Sequence, residues 1–184
     1  MTEKLILEKI DNIAKITINN PSANTWDLES LAGLEEIIQH LNKDNGIFSL
    51  VITGQGEKFF SAGADLKVFQ EGGKDAAKEM SNAFSRAFDS LSKFRGVSIA
   101  AINGFAMGGG LECALACDIR VAEEKAVLAL PEPKVGLLPC GGGTQVLPRL
   151  VGEGWAKRII LTGEQIKPDP VSYTHLTLPT TYHV

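Results

Sequence analysis

The sequence is poor in cysteine, histidine and aromatic residues, and it has no excess of positive charge. Its three cysteines are an odd number without paired spacing, so they do not form a disulfide framework and favour a reducing compartment. Lysine and arginine (18) are outnumbered by aspartate and glutamate (22), which gives a net charge of −4. Nucleic-acid binders and polybasic membrane-surface proteins need clustered positive charge. We therefore expect neither a nucleic acid nor a membrane as a partner.

Long apolar segments are missing as well. Charged residues stand at Glu3 and Lys4, and no apolar stretch of signal-peptide length follows them. No window approaches the run of about 18 apolar residues that a membrane-spanning helix requires. We therefore expect a soluble, cytoplasmic protein. Its 184 residues, 44% of them hydrophobic, are enough for one domain with a substantial core.

The end of the sequence differs in composition from the rest. Residues 170–184, PVSYTHLTLPTTYHV, contain both tyrosines and two of the three histidines, but no acidic residue, lysine or arginine. This segment reads like the translation of an adaptor used in sequencing libraries, and a genuine polar tail is the alternative. We expect residues 1–169 to form the domain and residues 170–184 to be a non-native tail.

Short apolar strands alternate with amphipathic helices along the chain. Strands are predicted at residues 5–10, 13–18, 49–53, 97–102 and 118–122, with a further strand beginning at residue 127. Helices are predicted at residues 28–41, 74–94, 111–117, 144–152 and 153–163. The Gly-rich segments GQGEKFFSAGADL and NGFAMGGG between them are predicted to be loops. This alternation indicates an α/β fold with largely parallel strand pairing.

Glu112 is the only charged residue in the apolar helix LECALAC. A helix that is apolar on every side belongs in a core, where an ionised carboxylate is costly unless it is paired or hydrogen-bonded. Burial also raises the pKa of a carboxyl, which suits a general acid or base. A structural ion pair with Arg120 or Arg149 is the alternative, and the residue pattern alone leaves both open.

Two loops of small residues flank the predicted helices. Gly108, Gly109 and Gly110 precede the Glu112 helix, and the segment FFSAGADL contains a second run of small residues. Small residues leave peptide N–H groups accessible, and such groups can stabilise a phosphate or the oxyanion of a carbonyl under attack. The spacing matches neither nucleotide-binding glycine fingerprint. Each loop read alone is equally compatible with a tight turn.

A second carboxylate, Glu132, stands between two prolines in LPEPKVGL, where the stiffened backbone fixes its direction. Read alone, it is also compatible with a solvated loop acid. Only His40 precedes the tail, so a catalytic triad with a serine or cysteine nucleophile would lack its histidine base. The three cysteines have no histidines near them in the sequence, so we expect no metal site. We therefore expect the chemistry to depend on carboxylates and backbone N–H groups.

Taken together, these motifs resemble the crotonase superfamily, and specifically enoyl-CoA hydratase. The resemblance covers residues 3–169, and its most specific parts are FFSAGADL, AAINGFAMGGGLECALACDIR and LPEPKVGLLPCGGGTQVLPRLVG, in family order. It implies a spiral of repeated ββα units and an acyl-CoA thioester as substrate. No cofactor is implied, because CoA enters as part of the substrate. A homo-oligomer, a trimer or a dimer of trimers, is implied for the full-length protein.

The resemblance also assigns roles to individual residues. The two peptide N–H groups that stabilise the enolate belong to Ala64 and Gly109, and the hydratase pair of glutamates maps to Glu112 and Glu132. We expect Glu112 to activate water and Glu132 to deliver the α-proton, which makes the protein a hydro-lyase. The implied substrate and CoA neighbours are Ala62, Gly63, Asp65, Leu66, Lys67, Gly108 and Cys140.

The sequence departs from the family pattern at two points. Cys140 stands where hydratases usually have a glycine, so it bears on substrate preference. Family chains also continue well beyond residue 169, which leads us to expect a C-terminally truncated chain that lacks a helical region and is inactive as it stands. An enoyl-CoA isomerase or acyl-CoA hydrolase of the same fold is the alternative activity, and a non-catalytic CoA-binding fragment is the alternative outside enzymes.

Overall fold

The structure, a computed structural model, describes residues 2–168, apart from the side chains of residues 69–72. The strands in that range are β1 (Leu5–Ile10), β2 (Ile13–Ile18), β3 (Ser49–Gly54), β4 (Phe59–Ser61), β5 (Val97–Ile102), β6 (Phe105–Met107), β7 (Ile119–Ala122) and β8 (Val127–Ala129). The helices there are α1 (Leu28–Lys43), α2 (Lys67–Ser92), α3 (Gly109–Leu115), α4 (Gly143–Val151) and α5 (Glu153–Thr162), with a 3-10 turn at Glu132–Val135. Residues 170–184 lie outside the described residues, so their assignment as a non-native tail stays a prediction.

The described strands form two sheets. The larger sheet has the order β1-β2-β3-β5-β7 and is parallel except between β1 and β2, and the smaller sheet has the parallel order β4-β6-β8. From β3 onward, each pair of consecutive strands contributes one strand to each sheet before the chain enters the next helix or turn. The chain therefore winds as a spiral of ββα units, and the prediction of largely parallel pairing is confirmed.

Helix α1 begins and packs as its sequence predicts. Asp27 accepts a hydrogen bond from the Ser30 N–H at 2.8 Å, and the Ser30 hydroxyl accepts one from the Asp27 N–H at 2.9 Å. This reciprocal cap satisfies two backbone donors that the first turn leaves without intrahelical partners. The apolar positions at helical spacing are all buried, and they are Leu31, Leu34, Ile37, Ile38 and Leu41.

The other two helices of the core also follow the predicted pattern. Helix α2 is interrupted at Gly73, whose φ of 61° and ψ of −150° are not helical, and its second part begins where the sequence predicts a helix at residue 74. Helix α3 is buried at each of its seven residues, as expected for a helix without a polar face. No helix among the described residues is both long and apolar enough to span a membrane.

Two strands of the smaller sheet depart from the prediction of loops. Strands β4 and β6 are three residues each, too short to show the alternation that marks a strand. They form because the parallel partner strands of the spiral supply their hydrogen bonds, so tertiary pairing overrides the local glycine-rich composition. Both strands lead directly into the loops of small residues identified in the sequence.

Candidate active site

A cavity of about 520 Å³ lies where the loops after β4 and β6 meet α2 and the segment that follows the 3-10 turn. The predicted site residues that line it are Ala62, Gly63, Ala64, Leu66, Gly108, Gly109, Glu112, Glu132 and Cys140. Asp65 and Lys67 do not line the cavity. The Asp65 carboxylate instead accepts a hydrogen bond from the Lys67 N–H at 3.1 Å, at the start of α2. The structure thus brings together both predicted carboxylates and both predicted N–H donors.

The two loops of small residues lie directly against each other. Gly63 has a φ of 89°, and a Cβ atom there would lie 2.6 Å from the Met107 carbonyl oxygen and 3.2 Å from the Gly109 nitrogen. Only glycine allows this combination of backbone conformation and close approach. The Ala64 N–H donates no hydrogen bond to the described residues. Gly109 is the first residue of α3, so its N–H has no acceptor within the helix. The Ala64 and Gly109 N–H groups therefore both remain available to a ligand.

We predict that Gly110→Ala destabilises the protein strongly. An added Cβ would overlap the backbone carbonyl oxygen of Ser61, which β4 holds in place and which cannot rotate away. Overpacking of this kind costs roughly 1–3 kcal/mol, and we expect a value at the upper end because the opposing atom is backbone. Urea unfolding measures this cost.

The matched control for this prediction is Gly154→Ala, since a Cβ at exposed position 154 of α5 meets no atom within 4 Å. We expect it to leave the free energy of unfolding unchanged or to raise it by about 0.5–1 kcal/mol. Equal effects of the two substitutions would contradict the close approach of α3 to β4.

Glu112 projects from α3 into the cavity and is held by the loop before α4. Its Oε1 accepts hydrogen bonds from the Gly141 and Gly143 N–H groups, each at 2.8 Å, and its side chain is almost fully buried. Burial raises the pKa of Glu112 above its ordinary value, and the backbone hydrogen bonds oppose that rise by stabilising the carboxylate. The loop N–H groups therefore favour the carboxylate form, whereas burial favours the protonated form and has the larger effect on the pKa.

Glu132 lies in a different environment, although it lines the same cavity. Its Oε2 is buried and has no hydrogen-bond partner among the described residues. Burial, and to a lesser extent the negative charge of Glu112, raises the pKa of Glu132 to about 7. The two carboxyl groups thus differ in surroundings, since Glu112 accepts two backbone hydrogen bonds and the Glu132 Oε2 accepts none among the described residues, as in enzymes that use one carboxyl as base and another as acid.

We predict that Glu132→Gln stabilises the folded protein at high pH. The pKa of Glu132 is about 7 in the folded chain, against an ordinary value of 4.5, so the free energy of unfolding falls as the pH rises through this interval. Because the side chain is partly exposed, we expect a gain of about 2 kcal/mol at pH 8, less than the full linkage value, and little gain at pH 5. Urea unfolding at both pH values measures it.

The control is Glu124→Gln, which removes an exposed carboxylate outside the cavity and should change stability little at either pH. A Glu132→Gln variant that is no more stable than the parent at pH 8 would contradict a buried, unpartnered carboxyl at this position.

The ion-pair alternative for Glu112 is wrong within the described residues. Arg120 directs its guanidinium at the carbonyl oxygens of Ala114, Cys117 and Asp118, where α3 ends, and Glu112 has no salt-bridge partner there. A cation at this position satisfies the unpaired carbonyls of the helix C-terminus. Among residues 2–168, Glu112 consequently faces the cavity without a salt-bridge partner.

Cys140 and one face of α2 complete the wall. Burial, with a smaller contribution from the Glu112 charge, raises the pKa of the Cys140 thiol to about 11. Ala77, Ser81 and Phe84 project from α2 into the same cavity, and none of them is among the site residues predicted from the sequence. Their spacing of four and three residues marks one helix face, and the small residues at positions 77 and 81 distinguish that face from an ordinary core stripe.

Comparison with known proteins places this geometry in context. The family model described as enoyl-CoA hydratase/isomerase matches residues 8–173. The solved structure of Pseudomonas aeruginosa DspI is 65% identical, with a TM-score of 0.89 over 91% of this chain and 68% of that chain. The Bacillus anthracis enoyl-CoA hydratase structure is 36% identical, with a TM-score of 0.87 over 90% of this chain and 65% of that chain. These likenesses confirm the spiral fold expected from the sequence.

A curated relative, the short-chain-enoyl-CoA hydratase of Clostridium acetobutylicum, is 40% identical over 90% of this chain and 64% of its own length. The chain spans 63–65% of the length of the first curated relatives that it matches.

Proposed function

Because this chain belongs to the enoyl-CoA hydratase/isomerase family, we propose that the whole protein adds water to a 2-enoyl-CoA thioester to give a 3-hydroxyacyl-CoA. The observation that supports hydration is one cavity with two differently held carboxyl groups, Glu112 bonded to two backbone N–H groups and Glu132 with an unpartnered Oε2, and two N–H groups that donate no hydrogen bond among the described residues. We further propose that the whole protein is a cytoplasmic homo-oligomer, a trimer or a dimer of trimers, that uses no cofactor besides the CoA of its substrate.

The thioester carbonyl would accept hydrogen bonds from the Ala64 and Gly109 N–H groups. As hydroxide adds to C3, the electrons of the C2–C3 double bond move toward C2 and the thioester oxygen, which becomes an enolate oxygen. Donors already aimed at that oxygen stabilise the charge without reorganisation, and one such donor typically contributes roughly 10² to 10³ in rate. The chain's own part in this step is to hold both donors at fixed positions.

The two glutamates would divide the proton transfers. Glu112, whose carboxylate form the Gly141 and Gly143 N–H groups stabilise, takes a proton from water as the water oxygen bonds to C3. Glu132, with a pKa of about 7, is protonated in a large fraction of molecules near neutral pH and gives its proton to C2. Water is thereby added in full, and the two carboxyls recover their starting protonation by exchange with solvent.

The experiment that tests this proposal is product analysis with the whole protein and crotonyl-CoA. Formation of 3-hydroxybutyryl-CoA supports hydration. A shifted double bond in a longer 2-enoyl-CoA would make the protein an isomerase, and release of free CoA would make it a hydrolase. Binding of acyl-CoA without turnover would contradict enzymatic activity and favour a CoA-binding role.

A further inference from the structure

The proposed oxyanion hole needs two N–H groups from different parts of the chain to keep one separation. Ala64 follows β4, whereas Gly109 is the first residue of α3, and about forty-five residues of chain separate them. A displacement of about 1 Å at a reacting centre can cost roughly 100-fold in rate. The chain must therefore fix the two loops relative to each other by packing.

We propose that Trp26, Phe88 and Phe84 form an aromatic bridge that sets the position of the Ala64 N–H relative to the Gly109 N–H. By this proposal the three side chains take no part in the proton transfers and act through the two N–H groups, so they are positioning residues. The inference rests on the proposed function, because it assigns the bridge to the oxyanion hole of that reaction.

The first end of the bridge is a backbone clamp on Ala64. The Trp26 N–H donates to the Gly63 carbonyl at 2.8 Å, and the Asp65 N–H donates to the Trp26 carbonyl at 2.8 Å, as in a parallel strand pair. In such a pair the residue between the two bonds directs its own N–H away from the partner strand. The clamp thus turns the Ala64 N–H away from Trp26, on a residue that lines the cavity.

The middle of the bridge is a chain of aromatic contacts. The fully buried Trp26 ring meets Phe88 edge-on with centroids 5.8 Å apart, and Phe88 meets Phe84 with centroids 5.4 Å apart. Edge-to-face contacts at such distances are favourable beyond the burial of area and restrict the tilt of each ring. Phe84 and Phe88 both belong to α2, so this helix holds the bridge in place.

The second end of the bridge lies on Gly109. A Cβ atom at Gly109 would be 2.5 Å from Cε1 of Phe84, so the ring rests directly against the glycine backbone. Phe88 also approaches Gly141, where a Cβ would be 2.6 Å from its Cδ2, and the Gly141 N–H is one of the donors to Glu112. The same rings therefore contact the backbone beside the second oxyanion donor and the loop that holds the carboxylate.

The choice of tryptophan at position 26 supports a role beyond filling space. Its Nε1 is buried without a hydrogen-bond partner among the described residues. A buried N–H without an acceptor destabilises the fold, and an apolar ring would avoid that loss. What the indole adds is the contact that joins the backbone clamp to Phe88, with ring centroids 5.8 Å apart.

We expect Trp26→Leu and Phe88→Leu to lower kcat for hydration by roughly 10-fold to 100-fold, with KM changed less than threefold. The matched control is Phe94→Leu, which truncates a buried phenylalanine just beyond α2 and outside the bridge. This control should lose comparable thermal stability and keep its kcat. Measurements use the whole protein with crotonyl-CoA.

A spectroscopic measurement separates positioning from general loss of structure. The C=O stretch of ¹³C-carbonyl butyryl-CoA, an unreactive thioester, should move to lower frequency when the wild-type oxyanion hole polarises it. We expect the Trp26→Leu and Phe88→Leu variants to lose at least half of that shift and the Phe94→Leu variant to retain it. Where Trp26→Leu does not fold, Trp26→Phe is measured in its place.

The outcomes distinguish the inference from the function on which it rests. A wild type with neither turnover nor a frequency shift contradicts the proposed function. An active wild type whose bridge variants keep both kcat and the shift overturns the inference and leaves the function standing. Failure of Trp26→Phe to fold would also overturn it, since the bridge would then serve the fold rather than the oxyanion hole.

Discussion

Glu112→Gln and Glu132→Gln should each lower kcat for hydration of crotonyl-CoA by about 10³-fold, within the range that general acid–base groups contribute. Glutamine keeps the shape of glutamate and can still accept from the Gly141 and Gly143 N–H groups, so the loop around position 112 remains in place. The amide can neither remove a proton from water nor supply one to C2. Steady-state rates of the whole protein, with thermal unfolding to verify the fold, measure the effect.

The double variant provides a sharper test of a cooperating pair. If the two carboxyls act in one step, removing the second after the first should cost no more than about tenfold further, because groups that work as a unit are not additive. Glu124→Gln, an exposed change outside the cavity, should leave kcat as it is. A single variant with a rate within a factor of three of the parent would refute the role assigned to that glutamate.

The sequence predicts the larger sheet and the helices well because their signals are local. Helix α1 combines a cap at Asp27 with an apolar stripe, and β3 and β5 are runs of β-branched and small apolar residues bounded by turn residues. Strands β4 and β6 have no such signal, since three residues show no period. Their existence depends on partner strands far along the chain, which local composition does not describe.

The candidate site divides in the same way. Glu112 stands out because a lone charge in an apolar helix demands an explanation, and the structure places it on the cavity with no salt-bridge partner in the described part of the chain. The residue pattern alone could not decide whether Glu112 pairs with an arginine or faces a substrate cavity. That choice depends on where α3 ends, because Arg120 donates its hydrogen bonds to the carbonyl groups at that end. Ser81 and Ala77 escaped notice, since small residues on a long helix are ordinary until another element is known to face them.

A final prediction concerns the Ala64 N–H, and it removes a single donor without altering any side chain. Replacing Ala64 by lactic acid turns its amide into an ester, which lacks the N–H and leaves the methyl group in place. We expect kcat/KM for hydration to fall by roughly 10² to 10³. Stability should fall by no more than about 1 kcal/mol, because this N–H donates no hydrogen bond within the described residues and the change otherwise only weakens the Gly63 carbonyl as acceptor of the Trp26 N–H.

Ala126 provides the matched control for that ester, since its N–H donates to the Glu123 carbonyl at 2.9 Å and it lies outside the cavity. The same alanine-to-lactic-acid change there removes a structural hydrogen bond, which should cost about 1 kcal/mol of stability and leave kcat/KM unchanged. The two esters therefore make opposite predictions for the rate. An Ala64 ester that keeps its rate would contradict the role of this N–H in the oxyanion hole, and the enolate charge would then require another donor.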